Sequence, residues 1–438
     1  MKVDALVAEI GSTTTIVNAF NLEKLKHLGQ GVAPTSVLAG DVSIGLDAAK
    51  ADLARLLGVL DVTYDRFLAT SSAAGGLRMT VHGLVYDMTV KAGQEAALGA
   101  GARIIHATAG KLSDFDLADI ERANPNLIML AGGTDFGDRE VAVYNAQRLL
   151  LLSVASPVIY CGNIQNHGIV KEMFDKAGRK LYITENVYPR LDELNVEPVR
   201  RLIHQAFEEN ITNAAGMENI RKIVDGTIMP TPGAVMEAAA ILRDIAGDLV
   251  VIDIGGATTD IHSVTDGDED VAAIQTTPEP VAKRTVEGDL GLYVSAQSLA
   301  NLAGISIENL LPPIPSTPAE LALAAEMAEH AGKIAMMRHV GHFRHSYNPK
   351  GRQTHAVGKD LTAVKYLVAT GGALTRLPAA REIMEKFAKI NTNSSILFPK
   401  VDNLKILTDR SYIMASLGVL SREYPTEARA LVEKYVKE

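Results

Sequence analysis

Asp253-Ile-Gly-Gly-Ala-Thr-Thr-Asp260 decides how this chain is read. It follows an apolar run, Leu249-Val-Val-Ile252, that reads as a buried strand. Gly255 and Gly256 let the backbone come close to a ligand with no Cβ in the way. Backbone N–H groups and the hydroxyls of Thr258 and Thr259 are suitable donors to phosphate oxygens. Gly255, Gly256, Ala257, Thr258 and Thr259 are therefore expected to line a phosphate. Asp253 can hold Mg²⁺ directly or through its water, as a hard cation prefers. Near the N-terminus the pattern recurs: Ala5-Leu-Val-Ala8 runs into Glu9-Ile-Gly-Ser-Thr-Thr-Thr15. Gly11, Ser12, Thr13 and Thr14 form the matching set. Two such turns in like strand contexts predict a duplicated phosphate clamp, with Glu9 and Asp253 as the catalytic and metal-holding pair.

Outward from the turns, an apolar strand ends in a double glycine in each half. Leu127-Ile-Met-Leu130 leads to Ala-Gly-Gly-Thr-Asp135, and Tyr366-Leu-Val-Ala369 leads to Thr-Gly-Gly-Ala373. The intervals from the carboxylates, 132 − 9 = 123 and 371 − 253 = 118, nearly agree. Gly371, Gly372 and Ala373 allow a flat adenine or ribose to lie on the backbone, with Gly132 and Gly133 as their counterparts. Asp135 either orients a water or the metal, or caps the helix that follows. Helices near 138–151 and 378–389, further short strands, and closing helices near 197–208 and 411–422 complete each half. The expected fold is α/β: two similar domains facing each other across a cleft. The expected boundaries are 1–245 and 246–438, with the C-terminal helix packing back on the first domain.

Composition bounds the function. A formal charge of −9 offers no basic face for nucleic acid. No apolar stretch approaches a membrane span, and residues 1–12 lack a signal-peptide layout, so a cytoplasmic protein is expected. The lone Cys161 reads as buried packing rather than as a nucleophile. The phosphate-loop alternative fails: Gly110-Lys111, Gly332-Lys333 and Gly358-Lys359 are followed by Leu, Ile and Asp, not by a hydroxyl. His339 precedes, and His342, His345 and His355 lie in, a loop-like, basic stretch over 341–358; no carboxylates accompany them, which disfavours metal binding. Lys283 to Asp289 reads as a surface loop or a partner or nucleotide contact. The small residues Ala415, Ser416 and Gly418 suit a close helix crossing or ordinary core packing.

These motifs resemble those of the actin/sugar-kinase/heat-shock-chaperone ATPase superfamily over nearly the whole chain. Glu9 stands where that superfamily usually has aspartate. Within it, the sequence is most similar to the accessory proteins of adenosylcobalamin-dependent glutamate mutase, the GlmL- or MutL-type family. The segments that carry this are Gly29-Gln-Gly-Val-Ala-Pro-Thr35, Ser71-Ser-Ala-Ala-Gly-Gly-Leu-Arg78, Leu130-Ala-Gly-Gly-Thr-Asp135, Arg284-Thr-Val-Glu-Gly-Asp-Leu-Gly291 and Gly358-Lys-Asp-Leu-Thr362. The resemblance implies two duplicated ribonuclease-H-like domains facing across a nucleotide cleft, and a Mg²⁺-dependent ATPase that reactivates a cobalamin mutase by helping it shed damaged cofactor. The mutase would be a protein partner, with the oligomeric state left open. A small-molecule kinase with Asp135 as base, and an actin-like filament protein, are the competing readings.

Overall fold

The computed structural model describes residues 1–36, 41–72, 77–100, 102–210, 217–226, 228–307, 311–348, 351–391, 395–399 and 404–437. Part of the Ser71–Arg78 motif, residues 73–76, lies outside them. Contacts divide the chain into two compact units, Met1–Ala74 with Thr212–Glu438, and Gly75–Ile211.

In the first unit, the chain opens with strands β1 (Lys2–Ile10), β2 (Thr14–Asn21) and β3 (Lys26–Pro34), then β4 (Thr63–Ser71). The second unit holds β5 (Arg78–Gly83), β6 (Arg103–Ala109), β7 (Leu127–Leu130), β8 (Val158–Tyr160) and β9 (Leu181–Ile183). Back in the first unit come β10 (Ile228–Pro230), β11 (Leu249–Ile254), β12 (Thr259–Val264) and β13 (Ala282–Glu287). They are followed by β14 (His342–Asn348), β15 (Gly351–Val357), β16 (Tyr366–Thr370), β17 (Lys405–Asp409) and β18 (Val436–Lys437).

The duplication is visible in the sheet orders, β10-β4-β1-β2-β3 and β18-β17-β16-β11-β12-β13. In each sheet a hairpin and a third antiparallel strand flank a strand that pairs in parallel on its other side: β1 with β4, β11 with β16. This is the ribonuclease-H-like arrangement, present twice. Its members differ from the sequence expectation in one respect. The structural counterpart of β16 is β4, not Leu127–Leu130, which pairs with β5 and β8 in the second unit. Likewise, the helix equivalent to Met414–Leu420 is Thr231–Ala246, which follows β10, rather than the one at Glu197–Asn210. The polar start of β4, Thr63-Tyr-Asp-Arg66, hid it, while the intervening 75–211 unit happened to supply a strand at the matching interval.

The two connecting helices fill the space between the sheets. Ala5, Val7 and Leu68 from one sheet and Val251, Val368 and Leu407 from the other share a core with Ala234, Ala238, Leu417 and Leu420. A Cβ on Gly418 would collide with the Ala234 carbonyl, so the helices touch through backbone. Small residues alone permit that approach. On the outer face of the second sheet, Pro318–His339 packs Met327, Ala331 and Ala335 over Ile252 and Ile261. Thr317 and Glu320 start this helix with a capping box.

Other differences are local. Residues 341–358 hold the antiparallel pair β14–β15 rather than a loop. Ser395–Leu397 adds no strand, only an isolated bridge between His342 and Ile396. Among the described residues no helix is long and apolar enough to cross a membrane.

Candidate nucleotide site

Both turns lie in the first unit, at the ends of β1 and β11. The first is closed by Gly11 N donating to Thr14 O at 3.0 Å. Ser12 donates to Ser72 O, and Thr15 pairs with Thr35. The hydroxyls of Thr13 and Thr14 meet no protein partner among the described residues. The second turn has the same closure, Gly255 N to Thr258 O at 3.0 Å. A Cβ built on Gly256 would lie 2.8 Å from Thr13 Oγ1, which shows how closely the two tips face each other. The hydroxyl of Thr258 donates to Asp260, and that of Thr259 to Leu290 O. Among the described residues, no protein acceptor meets the N–H groups of Gly256, Ala257 and Thr258, which are the open donors of the second turn.

The two carboxylates differ. Glu9 is buried and its Oε1 accepts from Ser416 Oγ at 2.7 Å and Asn18 Nδ2 at 3.5 Å. Ser416 belongs to the connecting helix Met414–Leu420. Asp253 is half-buried, and among the described residues no donor meets its carboxylate. Gly371, at φ +82°, backs onto it so closely that a Cβ would strike Asp253 Oδ1 and Ile254. Gly372 faces open space, and Ala373 is buried behind it. Strand, turn and adenosine-type glycines thus converge on one carboxylate.

A third carboxylate, Asp409, escaped the sequence reading. It is fully buried at the end of β17 and accepts from Thr370 Oγ1 at 3.1 Å and from the N–H groups of Ile413 and Met414. It therefore caps the second connecting helix. The signal was present, because Lys405-Ile-Leu-Thr-Asp409 ends a strand in an acid just as Val250–Asp253 does.

Burial raises all three. Glu9 is pushed up to about 8, chiefly by burial and further by Asp409 and Asp253, against the Ser416 hydrogen bond. Asp253 rises to about 7, first through burial, then through Asp260, with Arg284 opposing. Asp409 rises for the same leading reason. Such a cluster favours a bound cation. No group of three or more His, Cys, Asp or Glu among the described residues is arranged to hold a metal unaided. Mg²⁺ usually takes one or two carboxylates and fills its shell with water and phosphate. The unpartnered Asp253 in its glycine cradle fits this role.

Arg284 does not lie in a surface loop. It sits on β13, is buried, and donates to Asp260 Oδ1 at 2.8 Å. The pair stiffens the second turn from behind. Glu287 and Asp289, further along the same motif, are held by Arg338.

Gly132, Gly133 and Asp135 belong to the second unit. Asp135 Oδ1 accepts from Ile164 N at 2.9 Å and Asn186 Nδ2 at 3.0 Å, so it tethers neighbouring loops rather than capping the helix Glu140–Leu149. Cys161 is buried there as a free thiol. His339 lies between Ser263 and Thr285, while His345 and His355 bond within β14–β15.

A family model described as "MutL protein" matches residues 5–436. The chain belongs to the MutL protein family. "Protein MutL" of Clostridium tetanomorphum is 37% identical over 458 residues, covering 98% of each chain. Likeness to solved structures is looser. A diol dehydratase-reactivating factor in nucleotide-free form gives a TM-score of 0.38 at 12% identity, over 96% of this chain and 99% of the other. The ATP-dependent caprolactamase of Pseudomonas jessenii gives 0.40 at 12% identity, over 98% and 70%. In the MutL family member described here, Glu9, Asp253 and Asp409 are the acids that the duplicated fold gathers at one place.

Proposed function

We propose that this chain is an ATP-hydrolysing accessory protein that reactivates an adenosylcobalamin-dependent mutase, glutamate mutase or a related aminomutase, by promoting exchange of damaged cofactor. The observation that carries the ATPase reading is the unpartnered Asp253 carboxylate between the facing turns, cradled by Gly371. Membership of the MutL family supports the accessory role.

In this reading the turns Gly11–Thr14 and Gly255–Thr259 grip the phosphates from two sides, and Gly371–Ala373 receives the adenosine. Asp253 and Glu9 hold Mg²⁺, directly or through water. Bound Mg²⁺ supplies charge neutralisation on the phosphates, the main requirement of phosphoryl transfer. Ser416 and Asn18 fix Glu9, and Asp409 fixes Thr370 beside Asp253. The halves 1–245 and 246–438 act as the bodies that close on nucleotide, a hinge motion about the connecting helices. Mutase binding can stimulate hydrolysis. Asp135 and Gly132–Gly133 have a structural part in their own unit, and nothing in their bonding favours the kinase reading.

The experiment is rescue of turnover. Inactivated mutase should regain activity with this protein, ATP, Mg²⁺ and fresh adenosylcobalamin, and not with a non-hydrolysable ATP analogue. ATP hydrolysis without rescue of either glutamate mutase or an aminomutase would remove the client assignment and keep the ATPase.

A further inference from the structure

The Gly75–Ile211 unit has a fold of its own. Its sheet runs β6-β5-β7-β8-β9 with every pair parallel. Numbered within the unit, the order is second, first, third, fourth, fifth. Helices cover both faces: Lys91–Gly99 meets Glu197–Asn210 on one, while Ile120, Ala146 and Phe174 from three other helices share a core with Ile128 and Leu130 on the other. In doubly wound sheets of this order, ligands bind outside the carboxyl ends of the strands, at the switch point, which here lies between β5 and β7.

Phosphate-bearing ligands use free loop N–H groups at such an edge. Here the chain's own side chains take them. Thr89 Oγ1 accepts from Leu84 N at 2.9 Å and Val85 N at 3.1 Å. Asp138 accepts from Val141 N, and Asn163 from Gln165 N. Asp135 accepts from Ile164 N. Those five N–H groups are not free to meet an anion.

It is open to something apolar. Val85 and Tyr86 follow β5 and are 43% and 55% exposed; Phe136 follows β7 at 78%; Ile164 follows β8 at 48%. The loops are fastened together by the Asp135 to Ile164 bond and by Phe136 N donating to Asn163. Phe136 has φ +62°, a conformation that costs an aromatic residue and persists only when its surroundings impose it. The exposed acids on these loops are Asp87, Asp138 and Glu185, while the exposed Arg190 is paired with Glu193. Arg139 beside them is engaged by Asn166 and Gln165.

We propose that this edge is a protein-docking face, and that its occupant is an apolar surface of the mutase rimmed by lysine or arginine. Charge complementarity selects that partner over an acidic one, and the exposed apolar side chains at the loop tips suit a protein surface better than a phosphate ester. This inference rests on the reactivation reading, and it separates the docking of the client from the nucleotide turns of the first unit.

The test uses the full-length chain and purified glutamate mutase or aminomutase, with affinity read by biolayer interferometry. Phe136→Asn combined with Ile164→Ser is suitable, since asparagine accepts the left-handed backbone of position 136. Mutase affinity should fall tenfold or more, while melting temperature and ATP hydrolysis without mutase stay at wild-type level. Asp87→Lys with Glu185→Lys should weaken binding by a smaller, salt-dependent factor. Wild-type affinity in both variants, with rescue of the mutase intact, overturns the docking face and leaves reactivation standing. Absence of both binding and rescue in the wild-type chain overturns both. Protection of this edge from hydrogen exchange by inorganic phosphate would also overturn the assignment.

Discussion

Glu9 and Asp253 occupy matching places in the two sheets. Each ends the central strand of a hairpin, and each lies opposite a threonine of the parallel neighbour, Thr70 or Thr370. Each threonine reaches toward the start of a connecting helix, but Thr70 is joined by Thr231 and Thr370 donates to Asp409. The environments then diverge. Glu9 is tied to Ser416 and Asn18, whereas among the described residues no donor meets Asp253. Duplication gave one scaffold two equivalent corners. The extra methylene of glutamate lets the first corner reach the connecting helix, and the second keeps its carboxylate for a ligand.

That contrast can be broken directly. Asp253→Asn should lower ATP hydrolysis about a thousandfold, since an oriented charge at the reacting phosphates is lost; Glu9→Gln should cost less because its hydrogen bonds survive. Equal losses in steady-state assays would erase the distinction between the corners. Arg284→Met leaves Asp260 buried without its cation and should cost about 3 kcal/mol of folding stability, read by urea denaturation. The corresponding position in the first sheet has no such pair to lose.

Proton linkage sharpens the comparison. With Asp253 at about 7, raising pH from 6 to 8 ionises it and should increase Mg²⁺·nucleotide affinity about tenfold, measurable by calorimetry. Without metal the sign is opposite for stability. Glu9 at about 8 binds a proton more tightly folded than unfolded, so its contribution is complete below the unfolded value of 4.5 and is lost as pH rises through 8. A melting temperature that climbs over that interval in metal-free protein would contradict the buried carboxyl group. The smallest effect is expected from Ser416→Ala, about 1 kcal/mol, with hydrolysis shifted mainly through Mg²⁺ dependence. Threonine at 416 should restore the hydrogen bond if the helix accommodates its methyl.

The sequence made the two turns legible because glycine, hydroxyl and terminal acid sit in consecutive positions after an apolar run. The same local logic singled out Gly371 and Gly372, and Gly371 does lie against Asp253. What it could not supply was pairing between strands. Leu127–Leu130 has the composition and interval of a repeat member, and only the register of β4 against β1 shows otherwise. Asp409 and Ser416 were hard to assign for a related reason: each acts across about 400 or 40 residues of chain, on Glu9 and Thr370 respectively for Ser416 and Asp409. Arg284 reads as solvent-facing among Lys283, Glu287 and Asp289, and burial against Asp260 becomes evident only when β12 and β13 pair.

The contact of Gly418 with the Ala234 carbonyl has a mechanical meaning. Where Gly418 meets Ala234 the two helices touch through backbone, so at that one point turning one over the other requires no rotamer to flip. That point is a bare fulcrum. Resistance to rotation comes from the side chains packed around that point and from Gln30 of one sheet, held by the Ser411 and Tyr412 carbonyls and by Arg376. A bulkier residue at 418 would act as grit in that bearing, stiffening or prising apart the joint while leaving every phosphate donor in place.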